Sequence, residues 1–236
     1  QKNLSMYPYY ERILGKTSGQ QVQILLTLSE YRLKNEKDIK SYFRLLQGLD
    51  GYFNSLIQYS KEQVKRNLFL SDQSLKEVLQ QIQNVIKQKE KNMLVATFNL
   101  RIADIKGINA AQKKKYCREN KKLIGTKVLP AYEKLYSHLQ ALNGNGKNEN
   151  GLYYYKNGKE YYKVLVAQKT GSDKTIEEMI EISDRSIEKC LRKLIKLQKK
   201  YPNIINEYRN HKKNIKIVQN PQNILNKLRQ KMVKYY

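Results

Sequence analysis

Apolar residues recur three and four positions apart through most of this chain, and few helix-breaking residues interrupt the pattern. Only four prolines occur in 236 residues. This spacing places apolar side chains on one face of an α-helix. The clearest stretch follows Ser71, where one stripe contains Leu75, Val78, Leu79, Ile82, Val85 and Ile86. We therefore predict an all-α fold: an elongated, bundle-like domain with long helices.

Polar residues at the starts of these stretches support the helical prediction. Ser18, Asn35 and Ser71 each precede a periodic stretch and are candidate N-caps, because their side-chain oxygens can accept a hydrogen bond from a free backbone N–H. Thr175 followed three residues later by Glu178 is a capping-box pattern. It predicts a helix that continues to about residue 200.

The domain organisation is read from the residues that interrupt helices. Pro130 is predicted to kink or restart a helix. The sequence N-G-N-G-K-N-E-N-G at 143–151 is a loop, because it is composed of turn-forming residues. We predict that this loop joins a helical sub-domain at 1–142 to a second one at 152–236, the two packed together as one helical unit of a larger protein.

One segment, 151–166, allows two interpretations. Asn157-Gly158 lies between two tyrosine-rich runs, a pattern typical of a β-hairpin. The competing interpretation begins a helix at about Lys159, with Tyr161 and Tyr162 on its apolar side. We favour the helix, with at most a short hairpin near 152–162.

The chain carries a net charge of +25, from 46 Lys and Arg against 21 Asp and Glu. Such a charge favours a polyanionic partner, such as nucleic acid or an anionic polymer of the cell envelope. However, only ten of the basic residues are arginine, the side chain best suited to recognise phosphates and base edges. The lysines are also dispersed along the chain. Specific nucleic-acid recognition is therefore not favoured.

Few residues are suited to catalysis. The two histidines, His138 and His211, are far apart and belong to no H-E-x-x-H motif, so the usual pair of zinc ligands one helical turn apart is missing. Cys117 and Cys190 form no C-x-x-C motif, although lysines near Cys117 favour a lowered thiol pKa. The longest apolar runs are too short to cross a membrane.

Three stretches in series resemble a known family. They are 17–72, which begins T-S-G and ends N-L-F-L-S-D; 94–102, L-V-A-T-F-N-L-R-I; and 128–173, which contains V-L-P-A-Y, N-G-K-E-Y-Y and T-G-S-D. Their order and spacing are similar to the bacterial "domain of unknown function 885" family, over about residues 9–230. Complete members of that family look like gluzincin-type zinc metallopeptidases that are secreted or lipid-anchored.

The resemblance implies a helical portion without the catalytic half. Complete members are at least about twice as long and carry H-E-x-x-H in their later half, which this chain does not contain. No catalytic or metal residue can be carried over, and zinc is expected only on the missing half. The implied function is a non-catalytic scaffold that forms one wall of a substrate cleft and is not active alone. The alternative is a basic helical module that binds nucleic acid or anionic envelope polymers.

The resemblance and the residue pattern also suggest candidate sites and partners. Ser18, Gly19 and Gln21 form one predicted turn, and Tyr161 with Tyr162 flanks another, so we expect these residues to line the substrate cleft or the domain interface. The expected partners are the missing catalytic half or a second copy, through an exposed apolar patch, and a peptide substrate. The implied location is outside the cell or at its envelope, through a removed N-terminal signal. A cytoplasmic location stays open.

Overall fold

The computed structural model describes residues 4–146, 150–214 and 221–235. Every regular element in these ranges is helical and none is a strand, which confirms the predicted all-α class. None of the helices in the same ranges combines the length and apolar character needed to span a bilayer. Packing of amphipathic helices therefore builds the described fold.

The chain divides into two compact units, Gln1–Ser172 and Asp173–Tyr236. The loop predicted to join two sub-domains, 143–151, lies inside the first unit, and its residues 147–149 fall outside the described ranges. The division comes later in the chain because the helix Gly158–Thr170 packs against the N-terminal residues and so belongs to the first unit.

The helices are numbered in chain order. In the first unit they are α1 (Gln20–Ser29), α2 (Glu36–Gln47), α3 (Leu49–Lys65), α4 (Asp72–Gln88), α5 (Met93–Ala103), α6 (Ala110–Leu123), α7 (Leu129–Gln140) and α8 (Gly158–Thr170). Short 3₁₀ turns occur at Leu4–Met6, Lys89–Lys91 and Leu152–Tyr154, and a π-helical turn at Ile124–Val128. In the second unit they are α9 (Ile176–Lys200), α10 (Ile204–Asn214) and α11 (Pro221–Tyr235).

The core of the first unit forms where α7 packs against α3 and α4. The stripe predicted on α4 supplies Leu75, Val78 and Ile82, all fully buried. From α7 come Tyr132 and Leu135, also fully buried. Burying one such aliphatic side chain stabilises a fold by about 1.5–3 kcal/mol. This core therefore accounts for the arrangement of the central helices.

Three of the predicted helix starts are confirmed. The side chain of Asn35 caps α2, and the side chain of Ser71 caps α4. Thr175 and Glu178 form a reciprocal capping box at the start of α9, which continues to Lys200 as expected. These local signals were readable from sequence because each depends on residues within one helical turn.

The interruption predicted at Pro130 is a change of helix type. The π-helical turn Ile124–Val128 follows α6 directly, and α7 begins with Pro130 in its first turn. Proline has no backbone N–H to donate to the preceding turn, and its ring needs space there. The wider π-helical turn before Pro130 provides this space. The chain thus continues from α6 into α7 without a connecting loop.

The segment at 151–166 is helical, as favoured. Asn157 has a left-handed backbone with φ of 57°, and Gly158 begins α8. A Cβ atom at Gly158 would lie 1.9 Å from the Leu152 carbonyl oxygen, so only glycine fits there. The Asn-Gly pair therefore makes a tight turn into a helix instead of a hairpin.

The helices of the second unit, unlike those of the first, expose their apolar side chains. α9 is 25 residues long, and none of its side chains is buried. Seven of its apolar residues are 39–60% exposed: Ile180, Ile182, Ile187, Leu191, Leu194, Ile195 and Leu197. α10 and α11 likewise expose Tyr208 and Leu225. The apolar face of α9 is therefore uncovered in the described part of the chain.

Candidate functional site

The turn at Ser18 and Gly19 is tightly packed. Gly19 is the N-cap of α1 and no side chain caps this helix, so the predicted Ser18 cap is wrong. A Cβ atom at Gly19 would lie 2.1 Å from Gln21 Oε1 and 2.6 Å from the Gly15 carbonyl oxygen. The crowding explains why a glycine, and not the preferred serine, occupies the cap position.

Gln21 ties this turn to its neighbours. Its side chain is 1% exposed, and its Nε2 donates to the Gly15 carbonyl oxygen at 2.6 Å and to Gln81 Oε1 at 2.9 Å. Gln81 Nε2 donates in turn to the Lys16 carbonyl oxygen at 2.8 Å. The Tyr132 hydroxyl donates to the Gln21 carbonyl oxygen at 2.8 Å. These bonds anchor the turn to α4 and α7.

The residues predicted to line a substrate cleft lie in two places. Ser18, Gly19 and Gln21 belong to the turn against α4, whereas Tyr161 and Tyr162 lie on α8. Tyr161 is 5% exposed and lines a cavity, while Tyr162 is 46% exposed and is not part of its lining. The contacts give Gly19 and Gln21 a structural role. That all five touch substrate stays a prediction.

The cavity beside Tyr161 has a volume of about 360 Å³, which is within the range of small-ligand sites. We call it the tyrosine cleft. Its lining consists of Leu4, Ser5, Tyr7, Pro8, Tyr9, Glu11, Tyr59, Tyr161, Leu165 and Lys169. The cleft forms because the N-terminal segment lies across α3 and α8.

Ring contacts fix the tyrosines of the cleft. The Tyr161 ring centroid lies 5.6 Å from that of Tyr7 and 5.1 Å from that of Tyr10. The Tyr9 and Tyr59 centroids are 5.0 Å apart. Aromatic pairs at such distances contribute about 0.5–1.5 kcal/mol beyond area burial. The aromatic wall of the cleft is therefore held by mutual contacts.

Hydrogen bonds from α3 hold the N-terminal segment in place. Gln63 Nε2 donates to the carbonyl oxygens of Tyr9 at 2.8 Å and Glu11 at 3.1 Å, and the Tyr59 hydroxyl donates to the latter at 3.3 Å. The Gln63 side chain is 3% exposed. A buried amide that bonds two carbonyl groups of an irregular segment, here two residues apart, replaces the hydrogen bonds of a regular element.

The Tyr59 and Tyr161 phenols of the cleft stay protonated at neutral pH. Burial, reinforced by the nearby Glu11 carboxylate, raises the pKa of Tyr59 to about 12. The same two causes raise the pKa of Tyr161. The cleft therefore offers aromatic surface, neutral hydroxyl groups, one carboxylate and the Lys169 ammonium. These groups can hold a ligand, and they include no activated nucleophile.

His138 and Cys117, the histidine and the cysteine of the first unit, lie on α7 and α6. His138 is half-buried, and its Nδ1 lies 2.9 Å from the Lys134 carbonyl oxygen. Burial raises the pKa of Cys117, so the lowered value suggested by neighbouring lysines is wrong. In the described ranges no three His, Cys, Asp or Glu side chains lie together as metal ligands. The donors present there do not fit a zinc ion.

Sequence reasoning missed most of the tyrosine cleft. Tyr7, Tyr9 and Tyr59 were not recognised, because their meeting depends on contacts between residues some fifty positions apart. The motif Y-P-Y-Y at 7–10 was the available signal, since it concentrates aromatic rings beside a proline that prevents a helix.

The first unit also contains other cavities, of which two are formed by the helices described above. One lies beside the π-helical turn and is lined by Lys89, Lys121, Gly125 and Glu133 among apolar side chains. The other lies between the start of α4 and the end of α7. Neither contains a residue predicted to touch substrate. The tyrosine cleft, which contains Tyr161, is therefore the candidate functional site.

The described residues thus form an all-helical fold whose first unit contains an aromatic cleft. Over residues 6–236 the chain matches the family described as "Bacterial protein of unknown function (DUF885)". The chain belongs to this family, which confirms the resemblance found in the sequence. A comparison with curated proteins gave no match.

Among solved structures, the chain is similar to a "putative lipoprotein" from Colwellia psychrerythraea, with a TM-score of 0.67 and 17% sequence identity. The similarity covers 75% of this chain and 31% of that chain. It shows a shared helical fold. This chain therefore corresponds to less than a third of the length of that neighbour.

Proposed function

We propose that this chain is the non-catalytic helical portion of a larger peptidase-like protein, and that its tyrosine cleft contacts an extended peptide. The observation that carries the proposal is the cleft itself. Its aromatic rings can cover apolar side chains of a peptide, and its neutral hydroxyl groups can bond peptide amides. Glu11 and Lys169 at the cleft offer one group of each charge.

The length comparison supports the assignment to a larger protein. The similar part makes up 31% of the solved neighbour, so the rest of that protein is more than twice as long as the similar part. In our proposal the reaction centre, including any zinc ion, belongs to polypeptide outside the similar part. The cell envelope is the proposed location, because that neighbour is described as a lipoprotein.

Peptide binding by the purified chain tests the proposal, with fluorescence anisotropy of labelled, unstructured peptides as the measurement. Tyr161→Ala should weaken binding by about 30-fold, the loss typical of a buried tyrosine anchor. Tyr154→Ala is the matched control, because it removes an exposed ring that does not line the cleft, and it should change affinity less than about twofold.

Lys169→Glu and Glu11→Lys extend the test without removing a buried ring. Each reverses one charge of the cleft, so each should shift the preference among acidic and basic peptides in opposite directions. Peptides that bind equally well to Tyr161→Ala and Tyr154→Ala would overturn the proposal, and so would a lack of peptide binding by the unsubstituted chain.

The basic-module alternative rests on the net charge of +25 and makes a different prediction. Binding through six or more phosphate contacts would weaken by about 1,000-fold or more between 50 and 200 mM salt. Our proposal expects weak duplex binding that Tyr161→Ala leaves unchanged. Tight, steeply salt-dependent binding would favour the alternative.

A further inference from the structure

The apolar face of α9 has the spacing of a coiled-coil seam. Alternate steps of four and three residues connect Ile176, Ile180, Ser183, Ile187, Cys190, Leu194 and Leu197. Such a repeat keeps one narrow stripe directed at a partner helix over the whole length. Ile180, Ile187 and Leu194 are 55%, 56% and 60% exposed. Most of the seam is therefore apolar and exposed, with Ser183 as its polar position and Ile176 partly buried.

The charges of α9 are divided between its two halves. Residues 176–188 contain five acidic side chains and one basic one, which gives a net charge of −4. Residues 189–200 contain six basic side chains and no acidic one, which gives +6. The helix dipole favours acids at the first turn and bases at the last turn only. The dipole does not explain why the acidic half extends as far as Glu188 or why the basic half begins as early as Lys189, in the middle of the helix.

We propose that α9 pairs antiparallel with α9 of a second copy of this chain. An antiparallel pair places each acidic half beside the basic half of the other copy, whereas a parallel pair places like charges side by side. The seam also matches itself in this direction. When Ile187 packs against Cys190 of the second copy, Ile180 packs against Leu197 and Ser183 against Leu194.

This proposal goes beyond the peptide-binding function and does not depend on it. The twofold symmetry of such a pair buries the same stripe on both copies, the usual arrangement of a homodimer. The tyrosine cleft belongs to the other compact unit, so cleft variants should leave the dimer unchanged.

Charge reversal tests the pairing, with sedimentation equilibrium as the measurement. The acid-reversed variant carries Glu177→Lys, Glu181→Lys and Asp184→Lys, and the base-reversed variant carries Lys193→Glu, Lys196→Glu and Lys200→Glu. Each alone should raise the dimer dissociation constant by about 100-fold, because like charges then meet across the pair. Mixing the two variants should restore a dimer.

The matched control makes the same change of net charge as the base-reversed variant, but on the first unit. Lys37→Glu, Lys114→Glu and Lys122→Glu reverse exposed lysines of the first unit and should leave dimerisation unchanged. A monomer at every concentration up to the solubility limit would overturn the proposal and leave the face of α9 to another polypeptide. The proposal would also be overturned if the control weakened dimerisation equally, or if the mixed variants failed to associate.

Disulfide trapping tests the direction of the pair. In a Cys117→Ala background, Ile187→Cys should form a bond between the introduced thiol and Cys190 of the second copy, because these positions share a core layer. Peptide mapping after mild oxidation identifies the bond. A parallel pair would instead join Cys190 to Cys190 in the unsubstituted protein, and that result would contradict the proposal.

Discussion

α4 and α9 are both amphipathic helices with capped N-termini, but their apolar faces have different surroundings. α4 places Leu75, Val78 and Ile82 in the core with no exposed surface. α9 leaves Ile187 and Leu194 more than half exposed. The stripe of α4 is covered by α7 and α1 of the same unit. The difference shows that an apolar stripe predicts which face of a helix is buried in a contact. It does not identify the segment or the chain that covers this face.

The contrast extends to the two compact units. The first unit buries aromatic and aliphatic side chains from all parts of its length, whereas no described side chain of α9, α10 or α11 is buried. We expect the first unit to be stable by itself and the face of α9 to depend on another chain. The following tests can break or sharpen this contrast.

The largest difference is expected for removal of one apolar side chain from each unit. Phe98 is fully buried and stacks on Tyr42 and Phe43, so Phe98→Ala should lower the free energy of unfolding by about 3–5 kcal/mol. Leu194→Ala should change it by less than about 0.5 kcal/mol at dilute concentration, because the side chain is exposed. Urea unfolding followed by near-UV circular dichroism, which reports tyrosine packing in this tryptophan-free chain, measures both. Equal losses would remove the contrast.

A pair of glycine substitutions should act in opposite directions. Gly19→Ala places a Cβ against Gln21 and the Gly15 backbone and should destabilise the first unit by about 1–3 kcal/mol. Gly51→Ala meets no atom within 4 Å and lies in α3, so it should stabilise by about 0.5–1 kcal/mol. Urea midpoints measure both changes. Stabilisation by Gly19→Ala would show that the turn is less crowded than described.

The next effect concerns one buried hydroxyl group. Tyr132→Phe removes the hydrogen bond to the Gln21 carbonyl oxygen and should lower the free energy of unfolding by about 1 kcal/mol. Tyr208→Phe is the control from the second unit, since that ring is 66% exposed and should be insensitive. An unchanged unfolding curve for Tyr132→Phe would mean that this bond does not hold α1 to α7.

The smallest effect is expected from a surface ion pair. A hydrogen bond from the Lys134 ammonium, whose Nζ lies 3.0 Å from Asp50 Oδ1, lowers the pKa of the Asp50 carboxyl below its ordinary value of 3.8. The contribution of this ion pair to stability is therefore present when the pH is above 3.8, and it is lost as the pH falls through the lowered pKa of Asp50. Lys134→Gln should raise the Asp50 carboxyl pKa towards its ordinary value in an NMR titration, because Lys134 is the largest cause of the shift. A pKa that stays low would assign the shift to another cause.

Much of the first unit was predictable because its signals are local. The stripe after Ser71 and the cap at Asn35 depend on residues within one or two turns, and both are confirmed. The helix at 158–170 was also favoured correctly over a hairpin. The Ser18 cap failed because crowding around Gly19 outweighed the intrinsic preference of serine for the cap position.

The tyrosine cleft was only partly predictable. Tyr161 was selected from its position after a glycine-rich turn, but Tyr59 and Tyr9 come from an interior helix and an irregular N-terminal segment. Periodicity describes which face of one helix is apolar and contains no information on which distant segment meets it. The same limit applies to Cys117, because the burial that raises its thiol pKa comes from packing against the core and is not evident from the neighbouring lysines.

The central claim is that the first unit buries its apolar side chains within itself, whereas the apolar face of α9 is buried only when a second copy binds. Hydrogen exchange measured at several protein concentrations tests this claim. We expect amides of α4 and α7 to be protected at every concentration, and amides of α9 to exchange rapidly in dilute solution and slowly as dimers form. Strong protection of α9 at the lowest concentration, equal to that of α7, would contradict the claim.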